Sequence, residues 1–141
     1  MDKFRIVKTC GDGTYGTVFE AINKTTGEQV AIKKMKRKFS SWDEAMSLRE
    51  VKTLRRLNHQ NVVKLKEVIR VQSDVYLVFE YMKGTVLDHL REYKRYRGAT
   101  GLPNEDIQAI MKQVLVGLAY IHERGYFHRD LKPENLLYQD G

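Results

Sequence analysis

The sequence has 141 residues, 42% of them hydrophobic, a single cysteine and a formal net charge of +7. This composition is sufficient for a hydrophobic core and excludes collagen-like, disulfide-rich and low-complexity classes. No apolar run reaches the roughly 20 residues of a membrane span, and no signal-peptide stretch follows Met1. Because the lone Cys10 cannot form an internal disulfide, we expect an intracellular protein of the cytoplasm or nucleus, without a membrane partner.

The excess positive charge lies mainly in two stretches, residues 33–38 and 91–97. Such charge is compatible with nucleic acid, a membrane surface or an acidic partner. Neither stretch carries an aromatic stacking motif or a known nucleic-acid module. We therefore predict two solvated surface stretches and no nucleic-acid partner, with a nucleic-acid binder as an alternative that rests on charge alone.

The first 81 residues have the pattern of five strands. Alternation and β-branched residues predict a strand from Phe4 to a glycine-rich turn at 11–16, and strands at 17–22 and 29–35 that form an antiparallel meander. Two further strands are predicted at 62–71 and 75–81. One helix is predicted between the third and fourth strands.

The predicted helix begins with a capping box, in which Ser41 is followed three residues later by Glu44. Apolar residues then recur at helical spacing, at Ala45, Leu48, Val51 and Leu54. From about residue 85 the pattern is helical, with an apolar stripe from Ile107 to Ile121 that ends before Gly125. The fold class is thus α+β, a five-stranded antiparallel sheet with one helix followed by the start of a helical lobe, with a boundary near 82–85.

The glycine-rich turn has the pattern G-x-G-x-x-G, formed by Gly11, Gly13 and Gly16. A dinucleotide-binding fold would require a helix after the third glycine. Here residues 17–19 have a strand pattern instead. The turn is therefore either a flap whose main chain approaches phosphates closely or an ordinary glycine-rich hairpin.

A lysine at the end of the third strand is a candidate phosphate ligand. Lys33 follows Val30-Ala31-Ile32, and a lysine there is more often an exposed edge residue. Next to a phosphate flap, it would need a carboxylate to hold it. Glu50 on the following helix is our choice, because the capping box accounts for its competitor, Glu44.

The third motif lies after the long helix, where residues 128–135 match the pattern H-R-D-L-x-x-x-N at every position. A charged loop with a proline could be only a turn. However, this motif follows a glycine flap and a strand lysine in the order that phosphoryl-transfer enzymes use.

With these motifs the chain resembles the protein kinase superfamily over its whole length, and in residues 11–18, 30–33 and 128–135 the branch of cyclin-dependent and mitogen-activated kinases. Residues 36–52, 57–59 and 65–70 are most similar to the male germ cell-associated kinase group, whose members are associated with cilia and flagella. The resemblance implies a kinase N-lobe at 1–82, then a hinge exit, first C-lobe helices and catalytic loop at 83–141. It also implies ATP and Mg²⁺ as cofactors, a protein substrate, an upstream kinase as partner, and a cilium or flagellum as a further location.

The resemblance also assigns roles to residues of this sequence. Lys33 would pair the α- and β-phosphates and be held by Glu50. Asp130 would accept or orient the substrate hydroxyl, Lys132 would contact the γ-phosphate as in serine/threonine kinases, and Asn135 would hold one Mg²⁺. The remaining residues implied to bind ATP are Gly11, Asp12, Gly13, Thr14, Tyr15, Gly16, Val18, Ala31, Phe79, Glu80, Met82 and Leu137. Among them, Val18, Ala31 and Leu137 would contact the adenine, and residues 80–82 would form the hinge whose main chain pairs with it.

Thr14 and Tyr15 also match the inhibitory phosphorylation pair of cyclin-dependent kinases, where a phosphate would repel ATP. The printed sequence ends at Gly141 before a D-F-G segment, so we expect the 141-residue chain alone to transfer phosphate poorly. The competing interpretation is a kinase fragment that binds a nucleotide or a partner without catalysis.

Overall fold

The computed structural model of the chain describes residues 1–13, 16–98 and 100–139. They fall into two units, which we describe separately. The first unit comprises residues 1–58 and 63–81, and the second comprises residues 59–62 and the chain from Met82 onward.

A five-stranded antiparallel sheet forms the first unit. Its strands are β1 (Phe4–Gly13), β2 (Gly16–Asn23), β3 (Gln29–Met35), β4 (Leu65–Val71) and β5 (Asp74–Glu80). They lie in the order β1-β2-β3-β5-β4 with every pairing antiparallel. The predicted fold class and meander are confirmed. The fourth strand begins at Leu65 rather than at residue 62, because Val62 pairs with His59 in an isolated bridge outside the sheet.

Each face of the sheet carries its own hydrophobic cluster. On one face Phe4, Ala21, Val30, Ile32 and Val78 are buried together. On the other face Val75 and Leu77 pack against Phe39, Ala45 and Val51, which come from the segment after β3. Strand residues alternate between faces, so the second face is the one covered by helices.

Two short helices cover that face, where the sequence predicted one. They are α1 (Trp42–Ser47) and α2 (Arg49–Arg56), and Leu48 between them is extended, with ψ 132°. The Ser47 hydroxyl donates to the Glu44 carbonyl at 2.7 Å, a side-chain bond of the kind that competes with helical main-chain pairing. The main-chain bond from Lys52 N–H to the Leu48 carbonyl then starts the second helix. The prediction of one helix was wrong because it treated apolar spacing as sufficient evidence for a continuous helix.

Ser41 and Glu44 both form hydrogen bonds at the start of α1, but not in the reciprocal arrangement of the predicted capping box. The Ser41 hydroxyl accepts from Glu44 N–H at 3.1 Å, as predicted. The Glu44 carboxylate instead accepts from the Ser40 hydroxyl and main-chain N–H at 2.7 and 2.8 Å and from Arg37 at 2.6 Å. The Ser40 hydroxyl, then its N–H, then Arg37 lower the pKa of Glu44 from 4.5 to about 2.

In the second unit, a two-stranded sheet pairs β6 (Gly84–Thr85) with β7 (Leu137–Tyr138). The helices are α3 (Val86–Arg97) and α4 (Asn104–Glu123), and a 3₁₀ turn spans Pro133–Asn135. A capping box between Thr85 and Asp88 begins α3, which the sequence analysis missed. Residues 86–97 form a helix that ends at Gly98 in the left-handed conformation, with φ 62°.

The predicted long amphipathic helix is α4. A Cβ at Gly117 would lie 2.9 Å from the Asn61 carbonyl oxygen, so only glycine lets the 59–62 loop approach this closely. The His59 ring stacks on Tyr120 with ring centroids 4.6 Å apart. Along the parts of the chain that the structure describes, no helix combines the length and apolar character that crossing a membrane requires.

Candidate functional site

Lys33 and Glu50 form an ion pair in the first unit. Lys33 Nζ lies 3.1 Å from Glu50 Oε1, and the Lys33 side chain is 21% exposed. Glu50 stands in the first turn of α2, which is separate from α1 because of the break at Leu48. The carboxylate of Glu44, the competing candidate, is occupied by Ser40 and Arg37. The structure therefore brings together the two residues that the sequence analysis paired.

Strand register places four predicted ATP-binding residues on one face of the sheet. Val18 is paired with Lys33 across β2 and β3. Ala31 is paired with Phe79 across β3 and β5. Residues paired directly in antiparallel strands share a face, and residues two apart on a strand do too. Val18, Ala31, Lys33 and Phe79 thus all lie on the face that carries α2.

The described residues of the glycine motif form the two arms of a hairpin. Asp12 and Gly13 end β1, paired with Thr17 and Gly16 of β2. The Asp12 carboxylate accepts from the Thr17 hydroxyl at 2.9 Å. Thr14 and Tyr15, which come between these two strands in the sequence, lie outside the described residues.

The three glycines of the hairpin differ in the space around them. Gly16 has φ +136°, and a Cβ there would lie 2.0 Å from the Lys34 carbonyl oxygen. A Cβ at Gly11 or Gly13 would meet nothing within 4 Å. Glycine is therefore required by the fold at position 16, whereas at 11 and 13 packing within the described chain does not require it.

The predicted hinge residues lie at the end of β5. Glu80 is the last residue of that strand, and its carboxylate accepts from Lys64 N–H at 2.7 Å. Met82 is the first residue of the second unit after Tyr81. In the second unit, Leu137 pairs with Thr85 and is 45% exposed.

The H-R-D-L-x-x-x-N segment folds so that its polar residues contact one another. Asn135 Nδ2 donates to the Asp130 carbonyl at 2.8 Å and to its carboxylate at 3.0 Å. Lys132 Nζ lies 3.4 Å from the same carboxylate oxygen. His128 Nδ1 accepts from Asp130 N–H at 3.2 Å, and Arg129 has φ 67°. A residue other than glycine in this left-handed region costs about 1–3 kcal/mol, and such strain concentrates at functional sites.

The oxygen donors of this cluster suit a magnesium ion that shares its coordination with phosphate. Both bonds from Asn135 use its amide nitrogen, which leaves the amide oxygen for a metal, beside the Asp130 carboxylate. Mg²⁺ is usually bound through one or two protein oxygens together with phosphates and water. In the described ranges, no group of three or more His, Cys, Asp or Glu could hold a metal ion by itself.

One buried charged residue escaped the sequence analysis. Glu20 of β2 is 8% exposed, and among the residues that the structure describes it is the single polar or charged one that is buried. Its carboxylate accepts from Gln29, Lys8 and Tyr81. Strand alternation gave no signal for it, because a glutamate in a strand pattern normally faces solvent.

Comparison with protein families gives one match over nearly the whole chain. The family model described as "Protein kinase domain" matches residues 4–141. The matched range includes the glycine hairpin, Lys33, Glu50 and the cluster around Asp130.

Curated relatives match with similar coverage. The chain is 50% identical over its full length to "Cyclin-dependent kinase F-3" of Oryza sativa subsp. japonica, of which it covers 31%. Over 97% of its length it is 53% identical to "Serine/threonine-protein kinase ICK" of Rattus norvegicus and to "Serine/threonine-protein kinase MAK" of Mus musculus, covering 21% of each. The chain thus spans between a fifth and a third of the length of these relatives.

Proposed function

This chain belongs to the protein kinase domain family, and from that premise we propose that it supplies the ATP-binding and catalytic-loop part of a protein serine/threonine kinase. The reaction is transfer of the γ-phosphoryl group of Mg-ATP to a serine or threonine hydroxyl of a protein. Relatives named serine/threonine-protein kinases, at about half identity, support this class of activity.

The first unit would bind the nucleotide phosphates. Lys33 neutralises phosphate charge, and its ion pair with Glu50 at 3.1 Å holds the ammonium group in place. The open space beside Gly11 and Gly13 allows the hairpin main chain to approach phosphate oxygens without a Cβ in the way. Phosphoryl transfer depends mainly on such positioning and charge neutralisation.

The observation that carries the proposal is the cluster of Asp130, Lys132 and Asn135. The bonds from Asn135 fix the Asp130 carboxylate, which then orients the attacking hydroxyl and accepts its proton. Lys132, 3.4 Å from that carboxylate, compensates the charge of the transferred phosphoryl group. Asn135 would hold Mg²⁺ through its amide oxygen, and the bound ion would supply positive charge that neutralises the phosphates.

The test compares Asp130→Asn with wild type in the kinase to which this chain is proposed to contribute, using radiolabelled Mg-ATP and a generic acceptor protein such as myelin basic protein. We expect the variant to lose about 10²–10⁴-fold in rate, the range for removing a general base. Its affinity for Mg-ADP should change less than about two-fold, because Asp130 acts on the hydroxyl rather than on the base of the nucleotide.

The matched control is Glu67→Gln, which neutralises an exposed acid paired with Lys3 on the sheet and should leave the rate unchanged. A wild-type protein that binds Mg-ADP but transfers no phosphate would contradict the proposal. That result would favour a domain that binds a nucleotide without catalysis.

A further inference from the structure

A row of four side chains crosses the sheet beside the proposed adenine-binding residues. Lys8 of β1 is paired with Glu20 of β2, Glu20 with Ala31 of β3, and Ala31 with Phe79 of β5. Directly paired residues lie on the same face. Glu20 is therefore the immediate neighbour of Ala31, on the face that carries the proposed nucleotide contacts.

Three donors from three different segments surround the Glu20 carboxylate. Gln29 Nε2 donates to Oε1 at 2.8 Å, and the Tyr81 hydroxyl donates to Oε2 at 3.2 Å. Lys8 Nζ lies 3.2 Å from Oε2. A carboxylate this deeply buried is costly unless it is paired and hydrogen-bonded, and these contacts meet that requirement.

The same contacts keep the carboxylate ionised. Burial alone would raise the pKa of Glu20, but the bonds from Gln29, Lys8 and Tyr81, with the charge of Lys8, outweigh it and the pKa is lowered. Burial, followed by the charge of Glu20, raises the pKa of Tyr81 above 10.0. At neutral pH the Tyr81 hydroxyl thus stays protonated and donates a hydrogen bond to a charged acceptor. Such a bond is stronger than one to a neutral acceptor.

Tyr81 directly follows the last residue of β5, so it lies past the end of the sheet ladder. Its neighbours, Glu80 and Met82, are the residues whose main chain we assign to adenine. A tyrosine has only two side-chain torsions, and the bond to Glu20 fixes the far end of the ring. The hydrogen bond of the Tyr81 side chain therefore restrains the main chain at residue 81, where strand pairing has already ended.

We propose that Glu20 and Tyr81 form a positioning pair that sets the main-chain geometry of residues 80–82 for pairing with the purine base of the nucleotide. This inference rests on the proposed function, because it assigns a role within the same nucleotide site. Neither residue touches the reacting atoms. Their effect is on recognition of the base, not on the phosphates or on the chemical step.

The test uses Tyr81→Phe in the same kinase as the Asp130→Asn test. This substitution removes one oxygen atom and keeps the ring. We expect the dissociation constant for Mg-ADP and the KM for ATP to rise about five-fold, the effect of losing one hydrogen bond. Inhibition by Mg-tripolyphosphate, which has phosphates but no base, should be unchanged, as should kcat. The matched control is Tyr76→Phe in β5, on the face opposite to Phe79 and Leu77, with no expected change in any of these constants.

A double-mutant cycle tests whether the two residues act together. Glu20→Leu, which has no atom that can accept the Tyr81 hydrogen bond, should weaken Mg-ADP binding by a similar factor. Adding it to Tyr81→Phe should cause little further loss, because both remove the same interaction. If the two substitutions weakened Mg-ADP binding independently, so that their factors multiplied, the inference that the two residues act as a pair would be overturned.

Two further results would overturn the inference. One is a Tyr81→Phe protein with unchanged Mg-ADP affinity, and the other is equal weakening of Mg-ADP and Mg-tripolyphosphate, which would indicate general loosening of the unit. A wild-type protein that binds neither compound would instead overturn the proposed function itself, so the two failures are distinguishable.

Discussion

Gly13 and Gly16 sit opposite each other in the hairpin, yet the requirement for glycine has a different origin at each position. At Gly16 the main chain has φ +136° and approaches the Lys34 carbonyl, so a side chain would collide with the protein's own backbone. At Gly13 the space is open. A requirement there would come from the ligand.

Substituting each glycine by alanine should separate these two effects. Gly16→Ala should lower the free energy of unfolding by about 2 kcal/mol, the typical cost of backbone strain. Gly13→Ala should leave that free energy within about 0.5 kcal/mol of wild type, as for surface substitutions, while raising the KM for ATP. Chemical denaturation and initial-rate kinetics check the pair, and a Gly13→Ala protein with normal KM would remove the ligand-based explanation.

Residue-level prediction from sequence was successful where a motif fixes the partner. Lys33 and Glu50 could be paired in advance, because a strand lysine beside a glycine flap needs a nearby carboxylate. Glu20 could not be found in that way. Its partners Lys8, Gln29 and Tyr81 come from three segments, and only the strand register brings them together.

At the scale of elements, apolar periodicity predicted the strands and α4 but not the break between α1 and α2. The break at Leu48 depends on a single dihedral and on the Ser47 hydroxyl, neither of which changes the apolar spacing. The pair β6 and β7 has two residues per strand, too few for any alternation to be read. Short elements of this kind are specified by tertiary contacts rather than by propensity.

Helix α1 gives a pH-dependent prediction at this scale. The pKa of Glu44 is about 2 in the folded protein and 4.5 in the reference state, so its bonds stabilise the helix start fully above pH 4.5 and progressively less as the pH falls toward 2. In wild type, hydrogen-exchange protection of the Ala45 and Met46 amides should therefore drop between pH 6 and pH 3.

Glu44→Gln should show lower protection at pH 6 and a smaller drop, because glutamine has no charge to lose. The comparison of variant with wild type at each pH cancels the intrinsic pH dependence of exchange. Equal drops in both proteins would show that Glu44 does not control the end of the helix.

Across the whole molecule, the two units differ in how much they bury. Apart from Leu102 and Ile121, every buried hydrophobic side chain of the described residues belongs to the first unit. On α4, Ile107, Met111 and Leu115 are 44%, 43% and 59% exposed. The assignment of residues 59–62 to the second unit could not be predicted, because it depends on the fit of Asn61 against Gly117.

The strand order β1-β2-β3-β5-β4 has a kinetic consequence. The pairs β1–β2, β2–β3 and β4–β5 join neighbours along the chain, whereas β3–β5 joins Ala31 to Phe79 across both helices and β4. Closing that long loop costs more chain entropy than closing a hairpin. We expect two hairpin-based halves to form early and the β3–β5 seam to close last, so that in pulse-labelling during refolding the amides of that seam become protected after those of β2. If the seam is protected first, folding is nucleated instead at the face where Lys33 meets Glu50, and the sheet assembles outward from the strands that carry this pair.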